Sequence, residues 1–503
     1  MKAVSSYREP MITDYKQKCK DAGEKLSRDA YRKVGSFKTC LIERIFGGWR
    51  GFMNEVETGV VYSRGKRDIT KQTSNKKVLI TSAFDGSDID MNCWLTLKNY
   101  AKVNGCDLFV LWGKANRAGV MFSKEVYEEL EPYLVTNIEF TKDKYCTAKD
   151  LQISYNQKNP LINLDKLSNF IHTYIVGSSK QYMKILPYDP NDVYKIAWST
   201  GTISNIYYDS TVPAQLDKQH HTYGAIYLEY NELSGRYITR NLIYKNNFIA
   251  DLNKIYTTDD VMNEDYIPGM VLGDLHLPEE DEKSIRYTVN MIRDLKIKTV
   301  ILHDIFSFNS ISHHDYELAL TRIMNRTPES ESLETEMCIS SEKLDEIAAE
   351  CPNSNFIVVH SNHDDFILKY LNKCNFLHDL PNAVAAARLF VNIYDGENPL
   401  SKYIKQKNIE FLPQGSTYEI SGFEVGQHGN LGIGGMRGSA TTFSKTYTKS
   451  ITAHTHSPST FESSVIVGTN SKLQLSYNDG ISTWAHSNVI IHGNGTYQHI
   501  FCD

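Results

Sequence analysis

Five short segments carry side chains that bind metal ions, each directly after an apolar run. They are Gly273-Asp274-Leu275-His276, His303-Asp304-Ile305-Phe306, Ser361-Asn362-His363-Asp364, Gln427-His428-Gly429 and Ala453-His454-Thr455-His456. A carboxylate has two oxygens and one negative charge, so it can bridge two cations. Imidazole and the Asn carbonyl add ligands without adding charge. Such a mixed nitrogen and oxygen set suits Mn²⁺, Fe or Zn²⁺ better than Ca²⁺, and Mg²⁺ prefers oxygen and water. Two divalent ions roughly 3.5–4 Å apart can clamp the attacking and leaving oxygens of a phosphodiester and lower the pKa of a bound water. The chemistry within reach of these residue types is metal-assisted hydrolysis, with phosphoesters among its substrates. A single Asp-x-His arises by chance, and a lone His at a strand end is most often a hydrogen-bonded structural residue. Five such segments in order are a different matter.

Their order and residue types resemble the calcineurin-like metallophosphoesterase family, whose pattern is D-x-H, G-D, G-N-H-D/E, H, then G-H-x-H. The resemblance covers residues 268–503 and implies a β-sandwich flanked by helices, with two divalent ions, Mn²⁺ first among them. It implies that Asp274, His276 and His456 hold one ion, that Asp304 bridges, and that Asn362, His428 and His454 complete the second site. By the same resemblance His363 protonates the leaving oxygen and Asp364 orients it by accepting its ring N–H. His303, Ser361 and Ala453 stand where the family has Gly, and the acidic residue many members carry after Phe306 is missing. His313 and His314, with Asp315 beside them, follow the second motif, where nuclease members often place a phosphate-contacting His. His303 is either a core residue or a third substrate contact.

The elements that must position these groups can be read from the apolar runs. Strands are expected at Met270–Leu272, Val300–Leu302, Phe356–Val359, Phe423–Val425 and Ile451–Ala453. As strands of one sheet they deliver their ends to one rim, so the tips can converge although they span about 180 residues of chain. Between the first two, residues 279–295 have helical spacing, giving a β-α-β unit. The same succession occurs earlier: a strand at Val78–Thr81, a helix at Met91–Asn104 and a strand at Cys106–Trp112, with later strands at Ala225–Tyr230 and Tyr237–Tyr244. No phosphate loop or G-x-G-x-x-G accompanies it, and the Ser82–Gly86 loop carries no assigned chemistry. No internal repeat is evident in the residues. The expected organisation is α/β: a basic helical unit (1–60), a linker (61–76), an α/β middle domain for scaffolding or recognition (77–267) and the phosphoesterase domain (268–503).

The first 77 residues hold 18 Lys and Arg against 9 Asp and Glu, although the whole chain of 503 carries a net charge of −6. A basic head on an acidic body suggests a polyanionic partner, with a solvated helical face as the plain alternative. The head runs through a helix at Asp14–Ala22, an N-cap at Ser27, Tyr31, an apolar stripe at Leu41, Ile42, Ile45 and Phe46, and Gly47-Gly48-Trp49. Its Ser-x-x-x-Tyr and Phe-Gly-x-Trp signposts resemble the short helical repeat found with some phage and homing endonucleases. The apolar fraction of 41% is ordinary for a globular chain. Nine scattered cysteines without a C-x-x-C pair point to reduced thiols. Neither a signal core nor an apolar run of membrane-spanning length is present, so a cytoplasmic location without membrane contact is expected, the host's if the gene is a phage's.

The basic unit, α/β middle and variant His303-Asp304 motif together resemble the pre-early host-DNA-degrading nucleases of large siphophages. That likeness implies a metal-dependent deoxyribonuclease with DNA as its partner. A phosphatase or cyclic-nucleotide phosphodiesterase of the same family is the alternative. A DNA-binding assembly protein with a vestigial metal site is a third reading, and the middle region could serve homo-oligomer formation.

Overall fold

The computed structural model describes residues 8–46, 49–58, 69–114, 122–154, 156–167, 170–312, 332–447, 449–475, 478 and 480–502. His313, His314 and Asp315, Gly47 and Gly48, and the first part of the expected linker lie outside them.

The basic head is four short helices, Arg8–Ala22, Arg28–Val34, Thr39–Phe46 and Trp49–Thr58. They close on their own small core of Met11, Tyr15, Tyr31, Ile42, Phe46 and Phe52, with Trp49 packed against it. The Ser-x-x-x-Tyr signpost has a structural reason. Ser27 Oγ caps the second helix by accepting from the Ala30 N–H, and the buried Tyr31 hydroxyl donates to Asp14. Lys16, Lys20, Arg32, Lys33 and Lys38 remain exposed around this core.

The rest is a mixed α/β body of three main sheets. In the six-stranded sheet, Ile267–Val271 runs parallel to Ile297–Leu302, which runs parallel to Asn355–Val358. On its other side Ile267–Val271 pairs antiparallel with Ser487–Ile491, the first arm of a hairpin whose second arm is Tyr497–Phe501. Strand alternation sorts the side chains. Met270, Val300 and Val358 face helices Glu282–Asp294, Leu333–Glu350 and Asp364–Asn372. Val271, Ile301, Ile357 and Ile491 face Ile420, Phe423, Ile451 and Val465 of a second sheet.

That second sheet overturns part of the sequence expectation. The five tips do not come from one sheet. Phe423–Glu424 and Ser450–Thr452 lie in an eleven-stranded sheet packed face to face with the six-stranded one. The eleven strands also run back into the middle region, because Ser459–Phe461 pairs antiparallel with Met183–Leu186. A boundary at residues 267/268 therefore cuts through continuous structure. Thr70–Thr73, expected in the linker, is the edge strand of the same sheet, parallel to Asn137–Phe140. Ser82, Ala83 and Phe84, expected in a loop, end the strand Lys77–Phe84.

The topology contains a repeat that the residues hide. In the middle region Lys77–Phe84, helix Met91–Asn104 and Asp107–Gly113 form a parallel β-α-β unit, extended by Leu134–Val135. Lys77–Phe84 pairs antiparallel with Gly224–Asn231, the first arm of a hairpin closed by Arg236–Lys245. The facing strands match as well. Asn137–Phe140 and Cys146–Lys149 form a hairpin, then Thr173–Val176 and Lys195–Ser199 add in parallel, and Met183–Leu186 returns antiparallel. In the C-terminal half, Glu419–Ile420, Phe423–Glu424, Ser450–Thr452, Ser464–Ile466 and Ser459–Phe461 repeat that order and sense. Ten strands thus recur in the same chain order, and the two copies meet through their last-added strands.

Candidate metal centre

The tips converge where the six-stranded sheet faces the C-terminal part of the eleven-stranded one. Asp274, His276 and His456 offer ligand atoms within 4.8 Å of one another, as do Asp304, His428 and His454, and also His276, Asp304 and His363. His456 Nε2 is 3.0 Å from Asp274 Oδ2 and 3.0 Å from His276 Nε2. His428 Nε2 lies 3.3 Å from Asp304 Oδ2 and 3.0 Å from Asn362 Oδ1. His276 Nε2 is 3.6 Å from the same Asp304 oxygen. Asp304 therefore stands between two sets of donors, and all seven expected ligand residues lie in one cluster.

The backbone is bent to achieve this. His276, Asp304, His454 and His456 all have left-handed φ values, 48°, 44°, 71° and 56°. Such conformations cost non-glycine residues free energy and persist where surrounding structure over-determines them. They also account for the three replaced glycines. His303, Ser361 and Ala453 are not among the positive-φ residues, so nothing there requires Gly. At two of the three tips the left-handed residue comes one position later, at Asp304 and His454. Gly273 is different, because a Cβ there would meet the Gly468 and Thr469 backbone at 2.7 Å.

The electrostatics suit cations. Burial pushes the Asp274 carboxyl up, but His428 and His456 outweigh it and hold it at about 2. Burial likewise opposes ionisation of Asp304, yet His363, His428 and His276 keep it well below the usual carboxylate range. Burial depresses His276 to about 3 and His454 to about 4, keeping both imidazoles neutral, the form that binds metal. Asp274 Oδ1, Asp304 Oδ1, His428 Nδ1 and His456 Nδ1 are buried and have no hydrogen-bond partner. Unpaired buried polar atoms are costly, and the free Asp274 and Asp304 carboxylate oxygens are the ones that bound cations would satisfy. The donor set of carboxylates, imidazoles and one amide carbonyl fits such ions.

Two expected roles need correction. Asp364 does not take the His363 ring N–H. The His363 Nδ1 donates to the Ser307 carbonyl at 2.9 Å, and its ring stacks on Phe366 with centroids 4.5 Å apart. Asp364 instead starts the helix Asp364–Asn372 and accepts from the Ser361 N–H at 2.8 Å, with burial pushing its carboxyl up. His303 is fully buried beside His428, ring centroids 5.6 Å apart, so it does not face a substrate. Burial drives it to about 3.

Sequence reasoning also passed over Ser307 and Trp484. Ser307 acts through its backbone, which no motif records. Trp484 packs edge-on against His456 at 4.0 Å, from a segment outside the five ligand-bearing tips.

The molecule is thus a mixed α/β protein built of two like-folded copies, one of which carries clustered His and Asp side chains able to hold metal ions. The chain is 25% identical over 475 residues to Protein A1 of Escherichia phage T5, covering 87% of this chain and 83% of that protein. No family model matches the chain, and no solved structure matches it. Among the described residues no helix is long and apolar enough to cross a membrane.

Proposed function

We propose that the protein is a metal-dependent phosphodiesterase of calcineurin-like design that degrades DNA, working in phage infection. The observation that carries the reading is the placement of Asp304 between two sets of donors, Asp274/His276/His456 and Asn362/His428/His454. Asp274, His276 and His456 would hold one ion, Asn362, His428 and His454 the other, and Asp304 both. When bound, a pair of divalent ions such as Mn²⁺ offsets the charge of a phosphodiester and makes hydroxide available near neutral pH.

The remaining work falls to protein groups. Because His363 Nδ1 donates to the Ser307 carbonyl, the ring is fixed and its second nitrogen, Nε2, faces the centre, 4.0 Å from Asp304 Oδ2. In its charged form His363 can deliver the Nε2 proton to the leaving 3′ or 5′ oxygen as the P–O bond breaks. Phe366 under the ring limits its rotation. Trp484 and the buried His303 keep water off the backs of His456 and His428.

DNA is favoured as substrate by the basic head, whose exposed Lys16, Lys20, Arg32, Lys33 and Lys38 suit sequence-independent phosphate contact. The phage relative agrees with that setting. In the test, purified protein should degrade linear or circular DNA with Mn²⁺ and stop on addition of chelator. A panel of small phosphate esters runs in parallel. Rapid turnover of those esters with intact DNA would replace this reading by a phosphatase.

A further inference from the structure

Away from the metal centre, a cavity of about 1210 Å³ opens where the two copies meet. It is larger than most small-molecule pockets, which run to roughly 1,000 Å³. Its charge is unbalanced. Five lysines line it, Lys158, Lys180, Lys245, Lys445 and Lys449, against two carboxylates, Asp217 and Glu462. Both carboxylates are already engaged. Asp217 bonds the buried Lys180 ammonium at 2.5 Å. Glu462 lies 3.2 Å from Lys158 and accepts from the Ser444 hydroxyl.

Lys245 and Lys449 are left without an acidic partner among the described residues, and the fold drives them together. Lys245 ends the strand Arg236–Lys245, directly before Asn246 and Asn247. Both asparagines have positive φ, 55° and 67°, the signature of a tight two-residue hairpin turn. Lys449 enters the strand Ser450–Thr452 at the end opposite His454. Both ammonium groups donate to one acceptor, the Gly495 carbonyl, at 3.4 Å and 2.9 Å. Gly495 makes this possible. It has φ 69°, and a Cβ there would lie 3.1 Å from the Lys245 Nζ. Lys449 also sits over the Phe423 ring at 4.9 Å. Burial and the Lys245 charge push Lys449 down to about 8. Tyr447 and Tyr497 add aromatic wall beside the pair.

Two ammonium groups held side by side, half-buried and sharing one neutral acceptor, repel each other unless a dianion joins them. Phosphate matches that demand in charge and in the number of acceptor oxygens. We propose that Lys245 and Lys449 form a phosphate-binding site, separate from the metal centre, for inorganic phosphate or the phosphate of a mononucleotide seated in the cavity between the copies. The strand Ser450–Thr452 separates this site from His454 at its other end, so occupancy here does not compete for the metal-ligand rim.

The test is calorimetric titration of the full chain in chelator, which removes phosphate binding by metal. The probes are inorganic phosphate, deoxyadenosine monophosphate and deoxyadenosine. Phosphate or the nucleotide should bind, and the nucleoside should not. Tighter binding of the nucleotide than of phosphate makes a nucleotide the occupant, and equal binding makes it free phosphate. Lys245→Gln and Lys449→Gln should each weaken binding roughly tenfold or more, the loss of one charge-assisted bond. Asp304→Asn should bind as the wild type does. The proposal is overturned if neither phosphate nor nucleotide binds at millimolar concentration, if both lysine variants bind normally, or if Asp304→Asn abolishes binding.

Discussion

The two copies of the fold share their strand order and differ at the rim. At the C-terminal copy's first strand end, the Asp274 carbonyl accepts from Thr469 Oγ1 at 2.8 Å and from the Asn470 N–H at 2.8 Å. In the middle copy the Ser82 carbonyl accepts from Thr202 Oγ1 at 2.8 Å and from the Ile203 N–H at 3.0 Å. Ser471 N–H then donates to Thr469, just as Ser204 N–H donates to Thr202. Ser82 thus occupies the place of Asp274, and Phe84 that of His276. Where the C-terminal copy leaves acceptors unpaired, the middle copy closes its rim. Ser82 Oγ donates to the Gly201 carbonyl at 2.7 Å and lies 3.2 Å from that of Ser178. One scaffold therefore supports a rim able to hold cations and a rim that satisfies itself. The difference lies in a few side chains and not in the fold.

Removing ligands from the His and Asp rim should have the largest effect. Asp304→Asn should cut DNA hydrolysis roughly a thousandfold, the size of several kcal/mol of lost charge stabilisation. Its circular dichroism should be unchanged, and near-wild-type turnover would break the comparison. His363→Ala comes next, at roughly a hundredfold or more in kcat with binding of DNA retained. Trp484→Ala removes the wall behind His456 and should weaken metal affinity by roughly ten- to a hundredfold, read by metal titration. Asp364→Asn sharpens the corrected role. It should lower thermal stability through the Ser361 turn and leave the pH profile of turnover in place; a shifted profile would restore Asp364 as the residue that orients His363.

The rim of the middle copy gives the complementary outcome. Ser82→Ala should cost about 0.5–1.5 kcal/mol of stability, the loss of one buried hydrogen bond from a Gly201 carbonyl that keeps the Thr200 hydroxyl, with DNA hydrolysis unaffected. The junction between copies has its own pH dependence. Asp251 is buried in a bidentate pair with Arg240 at 3.0 and 3.1 Å and accepts from Gln498 across the junction. Burial raises its carboxyl, and Arg240 more than offsets this, so the folded value lies below the unfolded one. The stability it supplies is then complete above the ordinary Asp value near ~3.9 and is lost as pH falls through the folded value. Melting curves of wild type and Asp251→Asn should converge in that acid range.

The residues made one half of this comparison legible and hid the other. Asp274, His276, Asp304, Asn362, His428, His454 and His456 stood out because a metal site needs uncommon side chains at strand ends. The β-α-β units at 77–113 and 267–302 were also readable, since buried parallel strands are apolar runs. The duplication was not, because Ser82, Phe84 and Thr202 are unremarkable types, and only backbone pairing aligns them with Asp274, His276 and Thr469. The split of the tips between two sheets was equally hidden, since Phe423–Glu424 and Ser450–Thr452 are too short to reveal their partners. Lys245, Lys449 and Gly495 form no motif and meet only through the fold.

The His and Asp cluster is expected to hold a pair of cations. Titration of the metal-free chain with Mn²⁺, read by calorimetry and by metal content after desalting, tests it directly. Two equivalents per chain are expected for the wild type, with both weakened in Asp304→Asn because that carboxylate serves both positions. A wild-type chain that retains no metal, or an Asp304→Asn chain that binds two ions as tightly as the wild type, would contradict the account.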